Sequence, residues 1–203
     1  MSETLRIVLA MTGASGSLHA RRLLRRLAVA ERVGEIHLVI SDAARRVAHQ
    51  ETGDKASRAE ELVDLWLEGL EPTAERVVHA FRDIGAGPAS GSFAHDGMVV
   101  VPCSTATAAS IAHGISSNLV HRAAECCLKE RRRLILMIRE TPLSLVHLEN
   151  FTTLTRAGAT VMPLAPPWYH RPQTLEDLVD RTCDRALDHL GLRELVDARW
   201  GTT

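Results

Sequence analysis

Apolar residues in this chain come in short unbroken runs rather than in alternation with polar ones. Leu5 to Met11 is one such run, rich in β-branched residues, and it closes on Thr12-Gly13-Ala14-Ser15-Gly16. Beyond that loop Leu18, Leu23, Leu24 and Leu27 recur at helical spacing, with Arg21, Arg22, Arg25 and Arg26 on the other side. The pattern predicts a strand, a tight loop and a helix whose arginine run is a solvated face. Ile36 to Ile40 predicts a second buried strand, ended by Ser41-Asp42, either of which can cap a helix to about Thr52. From 53 to 97 the pattern weakens to one amphipathic stretch, Ala59 to Leu70, and a loop holding Gly85, Gly87, Pro88, Gly91 and Gly97. A loop of that length in a compact domain is functional or mobile. Met98 to Val101 is the clearest strand, followed by the small and hydroxylated Pro102 to Thr107 and a helical pattern from about Ala108 to Glu130. Leu134 to Ile138 predicts a fourth strand, leading into Arg139-Glu140-Thr141-Pro142, and a helix follows from about Ser144 to Ala157. Thr160 to Met162 is a short fifth strand before the proline-rich Pro163 to Pro172. Thr174 opens a last helix with Leu175, Leu178, Val179, Thr182, Ala186 and Leu190 on one face and Asp177 placed for a capping box.

Strands without polar alternation, separated by helices, imply a mostly parallel sheet covered on both faces. The expected fold is a doubly wound α/β three-layer sandwich of Rossmann or flavodoxin-like type, in one domain over 1–203. A length of 203 residues suits one sizeable core. A net charge of −1, with acids and bases interleaved, offers no basic field for nucleic acid. No run approaches the roughly 20 apolar residues of a membrane helix, and the polar first residues are no signal core, so a cytoplasmic protein is expected. Cys103, Cys126, Cys127 and Cys183 lack metal-site spacing and read as reduced, mostly buried thiols.

In such a sheet, ligands bind at the carboxyl ends of the strands. The unusual segments fall there: Thr12 to Gly16, Ser41, Cys103 to Thr107, Arg139-Glu140, and Pro166 to Arg171. The first loop is not GxGxxG, so a mononucleotide is favoured over a dinucleotide. Its hydroxyls, with the free N–H groups of a helix start, form an anion site, although glycine and serine also make ordinary turns. Pro102 to Thr107 repeats that arrangement, and Ser104 could equally be a plain helix cap. Arg139 suits an anionic ligand and Glu140 proton transfer, against the alternative of a surface pair. Lys129, inside Leu128 to Arg133, reads on local grounds as a solvated helix end. Tyr169, the sole tyrosine, and Trp168 sit where they could cover a pocket. His170, His19, His49 and His113 have no ligand spacing, and no metal is expected.

Taken together, these segments resemble the UbiX-type flavin prenyltransferases over nearly the whole chain. The resemblance rests on Thr12 to Gly16, Ser41 with Ala43-Ala44, Glu51-Thr52, Ser90-Gly91-Ser92, Pro102 to Thr105, Arg122-Ala123-Ala124 and Leu128 to Arg132. It continues in Arg139 to Pro142, His147-Leu148, Tyr169-His170, Pro172-Gln173 and Ala198-Arg199-Trp200. It implies FMN and dimethylallyl phosphate as ligands, and transfer of the prenyl group to N5 and C6 of reduced FMN for a separate UbiD-type decarboxylase. By position, Gly13, Ala14, Ser15, Ser41, Cys103, Ser104, Thr105, Ala106 and Arg139 would contact the flavin. Ser90, Gly91, Lys129, Arg139, Glu140, Tyr169 and Arg185 would surround the prenyl phosphate. Ser15, Glu51, Lys129, Glu140 and Tyr169 would carry the catalytic roles. The resemblance reverses the local reading of Lys129, because in the family that residue reaches a site built between subunits of a large homo-oligomer, a dodecamer. The chain departs from most relatives at His19-Ala20, where they have a tyrosine-glycine pair, at Asp42, where they have lysine, and at Phe93.

Two other classes compete. The related FMN-dependent cysteine decarboxylases carry an asparagine motif where this chain has Ser104 to Thr107, so its absence favours prenyl transfer. A non-catalytic flavin-binding subunit would not need Lys129, Arg139, Glu140, Tyr169 and Arg185 together.

Overall fold

A computed structural model describes residues 4–169 and 171–196 of the chain. Six strands form one sheet in the order β3-β2-β1-β4-β5-β6. They are β1 (Leu5–Met11), β2 (Val33–Ile40), β3 (Glu75–His79), β4 (Gly97–Cys103), β5 (Arg133–Ile138) and β6 (Thr160–Pro163). All neighbours pair in parallel, so the expected doubly wound α/β sandwich is found. Successive side chains of a strand point to opposite faces. Thus Ile7, Leu9 and Met11 join one core, together with α1 (Ser17–Ala28), α2 (Asp42–Thr52), α3 (Ala59–Leu67) and α7 (Leu175–Leu190). Val8 and Ala10 join the other, under α4 (Thr105–Ala112), α5 (Leu119–Lys129) and α6 (Leu145–Ala157). Burial of each large side chain, Leu23 or Ile36 for example, contributes on the order of 1.5–3 kcal/mol. All four cysteines are free and buried. Among the described residues no helix is long and apolar enough to cross a membrane.

Four sequence expectations need correction. The stretch from 53 to 97 is not one long loop after its helix, because β3 pairs with β2 from Glu35↔Glu75 to Val39↔His79. β3 is an edge strand with both of its first residues exposed, so it lacks the apolar run that marks the buried strands. The helix expected from 108 to 130 is two. The chain leaves α4 at His113, Gly114 takes φ 66°, a left-handed conformation that glycine adopts without a Cβ penalty, and Asn118 caps α5 by accepting from the His121 N–H. The arginines of α1 are not simply solvated: Arg22 pairs with Asp180 and Arg26 with Asp184, both on α7, and Arg25 donates to the Trp66 carbonyl at 2.6 Å. Last, Leu175 is exposed rather than inward, whereas Val179, Thr182, Ala186 and Leu190 are buried as expected and the Thr174–Asp177 capping box is present. His170 and Ala198-Arg199-Trp200 lie outside the described residues.

Candidate active site

The strand order reverses direction between β1 and β4, and the carboxyl ends of these two strands bound a crevice. Thr12 bridges it. Its hydroxyl donates to the Pro102 carbonyl at 3.1 Å and accepts from the Ser104 N–H at 2.9 Å, while its own N–H also donates to Pro102. Two helix N-termini open onto the same crevice. Ser41 caps α2 by accepting from the Ala44 N–H at 3.1 Å, and Ser104 caps α4 by accepting from the Thr107 N–H at 3.2 Å. The remaining first-turn N–H groups of a helix have no partner within it, which makes such an end a natural anion site. Gly13 lies against α2: a Cβ there would come within 2.6 Å of the Ala43 Cβ. The absence of a side chain lets the loop close on that helix start.

These elements border an open cavity of about 590 Å³ whose lining includes Thr12, Gly13, Ser41, Ser104 and Thr107 together with Arg46, Phe81, Arg82 and the single carboxylate of Asp42. Its size falls in the range of small-molecule sites. Donors of two helix ends, two guanidinium groups and an aromatic ring fit a phosphate-bearing aromatic nucleotide such as FMN. Sequence reasoning missed Phe81 and Arg82 because they follow the unrecognised β3. It missed Arg46 because one arginine in a helix rich in them carries no distinguishing signal.

The other face of the first loop is held by Glu51. Its carboxylate accepts from the Gly16 N–H at 3.0 Å and the Ser17 N–H at 2.8 Å, and from the Ser17 hydroxyl. Burial raises its pKa, but hydrogen bonds from the Ser15 and Ser17 side chains and the loop N–H groups outweigh that and hold it below the ordinary carboxylate range. Glu51 is therefore ionised at neutral pH and ties Ser15 to the loop. Cys103 is fully buried in the core under α4, and burial pushes its thiol far above its ordinary pKa, so it is no nucleophile.

At the carboxyl end of β5, Arg139 is exposed and Glu140 half-buried. Glu140 accepts from the Thr105 hydroxyl at 3.5 Å and from the Thr141 N–H at 3.0 Å, which brings it to the start of α4. Tyr169, exposed, follows β6 on the same side.

Comparison with known proteins places this arrangement. A family model described as Flavoprotein matches residues 1–187. The flavin prenyltransferase UbiX of Pseudomonas aeruginosa is 44% identical over 203 residues, covering 99% of this chain and 96% of its own. That of Thauera aromatica is 42% identical, covering 97% and 94%. The chain belongs to the UbiX flavin prenyltransferase family. The structure also matches a crystal structure of AnUbiX in complex with FMN and dimethylallyl pyrophosphate, with a TM-score of 0.86 and 40% identity over 99% of this chain and 100% of that one. It matches a dodecameric FMN-dependent UbiX-like decarboxylase of Escherichia coli O157:H7 with a TM-score of 0.85 and 38% identity, over 97% and 99% of the two chains. The cysteine decarboxylase TvaF shares only the fold, at 18% identity and a TM-score of 0.62.

Within one subunit the family-matched residues fall into two groups. Gly13, Ser15, Ser41, Ser104, Arg139, Glu140 and Tyr169 lie on loops and helix starts at the carboxyl edge. Ser90, Gly91 and Lys129 lie at the amino edge, since Lys129 ends α5 just before β5 begins at Arg133. Six residues of β5, at about 3.3 Å each, put the two edges roughly 20 Å apart. Lys129 is exposed and paired with Glu130, as the local reading of a helix end had it. Arg185 is exposed in the last two turns of α7 and bonds Asp188 at 2.9 Å, away from Arg139.

Proposed function

We propose that this chain is a flavin prenyltransferase that joins the dimethylallyl group of dimethylallyl phosphate to N5 and C6 of reduced FMN, making prenylated FMN for a UbiD-type decarboxylase. The observation that carries this reading is the carboxyl-edge cavity built from Thr12, Ser41 and Ser104 in a chain over 40% identical to flavin prenyltransferases along nearly its whole length. A structural neighbour at 40% identity holds both FMN and dimethylallyl pyrophosphate. Each chain acts as one domain, and the catalytic centre is completed by another copy within a large homo-oligomer, as the dodecameric neighbour supports. That copy supplies the amino-edge residues, which a single subunit leaves roughly 20 Å from Arg139.

In this reading Gly13, Ala14, Ser15, Ser41, Ser104, Thr105 and Ala106 hold the flavin along the β1–β4 crevice, with Arg139 at its edge, while Cys103, wholly buried, packs beneath the Ser104 cap and does not reach the ligand. Reduced FMN, when bound, supplies the electron-rich N5 and C6 that receive the prenyl group. Lys129, Arg139 and Arg185 offset the charge that grows on the phosphate as its bond to the allyl carbon breaks. The Ser90 hydroxyl and the Gly91 backbone fix its orientation, and Tyr169 shields the allyl group from water. Glu140, held against Thr105 and Thr141, would transfer the proton during ring closure, giving one to the prenyl double bond as its carbon joins C6 and taking back the proton that C6 loses. Ser15, tied to the ionised Glu51, holds the proton at the flavin edge in place. None of these roles requires a metal.

Incubation of the purified protein with reduced FMN and dimethylallyl phosphate, followed by mass spectrometry of the extracted flavin, tests the reading. A flavin heavier than FMN by the prenyl group is expected. A mass unchanged from FMN would defeat it.

A further inference from the structure

The segment between the short 3-10 turn Gly87–Ala89 and β4 carries Ser90-Gly91-Ser92, and its backbone is gripped by two guanidinium groups. Arg132 donates from Nη2 to the Gly91 carbonyl at 2.6 Å and from Nη1 to the Phe93 carbonyl at 2.8 Å. Arg6, at the start of β1, donates from Nη1 to the Ala94 carbonyl at 2.8 Å. Its remaining donors clasp Glu35 on β2, at 2.7 Å from Nε and 2.6 Å from Nη2. Hydrogen bonds from Arg6 and then His37 hold the Glu35 carboxyl down at about 2, so this anchor is charged at any working pH. The Phe93 ring lies under the Arg6 guanidinium at 4.9 Å and meets His37 edge-on at 4.9 Å. Arg132 stands three residues after Lys129, and a Cβ on Gly91 would meet the Lys129 Nζ at 2.4 Å. Gly91 thus lies against the Lys129–Glu130 pair, while Arg132 holds the Gly91 carbonyl from the next turn of chain.

The cleft of about 410 Å³ behind this loop is lined by Arg6 and Arg132 but also by Glu35 and Asp96. Its charges are balanced and its guanidinium groups are committed to carbonyls, which makes it a scaffold and not a second anion site. We propose that Arg132, acting beside the Glu35-anchored Arg6 on the same segment, is a positioning residue that sets the Ser90-Gly91-Ser92 loop against Lys129, and so fixes the grip on the prenyl phosphate. This rests on the prenyl-transfer reading above. Two carbonyls in different directions require the planar fork of arginine, which the single ammonium of lysine does not reproduce.

The test uses the full-length oligomer with Arg132→Lys and Arg132→Met. Hydrogen exchange should quicken at the amides of residues 88–95 in both variants while the β1 amides stay protected. KM for dimethylallyl phosphate should rise about tenfold or more in Arg132→Met, the effect of losing charged hydrogen bonds, with FMN affinity unchanged. Combining Arg132→Lys with Ser90→Ala should raise KM by less than the product of the two single effects, because both act through one loop. Unchanged loop exchange, an unchanged KM, additive effects, or a loss of FMN affinity matching the rise in KM would each overturn the proposal. If Arg132→Met does not fold, Arg132→Lys and Arg6→Gln give the same readouts. A wild-type protein that forms no heavier flavin would sink the prenyl-transfer reading alone, and the exchange of residues 88–95 would still judge the clamp.

Discussion

Thr12 shows how much one side chain can settle. A hydroxyl both donates and accepts, so Thr12 ties β1 to the end of β4 through Pro102 and Ser104 at once. Serine and glycine on their own fit either a turn or a ligand site, and what the Thr12 bridge adds is a fixed position for that loop beside the start of α4. Gly13 then decides how near α2 can come. In Gly13→Ala the added Cβ collides with Ala43, so the α2 start must shift outward. FMN affinity is expected to fall by about tenfold or more, the scale of one or two misplaced charge-assisted hydrogen bonds, with little change in melting temperature. Fluorescence titration with FMN checks this, and an affinity equal to wild type would show that the contact with α2 is not critical.

At the scale of elements, α1 and α7 are joined by a ladder of charge that periodicity alone does not reveal. Asp184 is buried and accepts from Arg26 at 2.8 Å and from Arg181 at 2.9 Å. Its removal takes a carboxylate acceptor from both Arg26 and Arg181 where α1 meets α7, which costs about 2–3 kcal/mol. Asp184→Ala is therefore expected to lower the unfolding free energy from urea titration by that amount, and a change under about 1 kcal/mol would mark the pair as a surface one. An arginine run looks the same in sequence whether it faces water or another helix, which is why the solvated-face reading failed. Edge strand β3 escaped for a related reason. Half-exposed on one side of the sheet, it carries Glu75, Arg76 and His79 in place of an apolar run. The capping residues Ser41, Ser104 and Thr174 were legible, because a cap is a local hydrogen bond within four residues.

For the molecule as a whole, the placement of Lys129 and Glu140 at opposite edges of one sheet makes a specific demand. If each catalytic centre draws them from different copies, Lys129→Met and Glu140→Gln subunits, each inactive as a pure oligomer, should regain part of the wild-type activity after dissociation and mixed reassembly. Prenylated FMN measured against the mixing ratio checks this, and no recovery at any ratio would place both residues in one copy's site. The exposed Leu145, Val146 and Leu148 at the start of α6 form an apolar face suited to contact with another copy.

What the sequence determined by itself is local. Runs of apolar residues set five of the six strands, helical spacing set most helices, and hydroxyl and glycine positions marked the carboxyl-edge loops, because burial and capping act within a few residues. The family-matched motifs added the flavin and the prenyl donor. Only the tertiary structure decided that Arg46, Phe81 and Arg82 line the carboxyl-edge cavity, that the α1 arginines meet α7, and that Arg132 and Arg6 grip the Ser90 loop. Those contacts join residues from different elements of the chain, and their geometry follows from strand order and helix packing rather than from any local pattern.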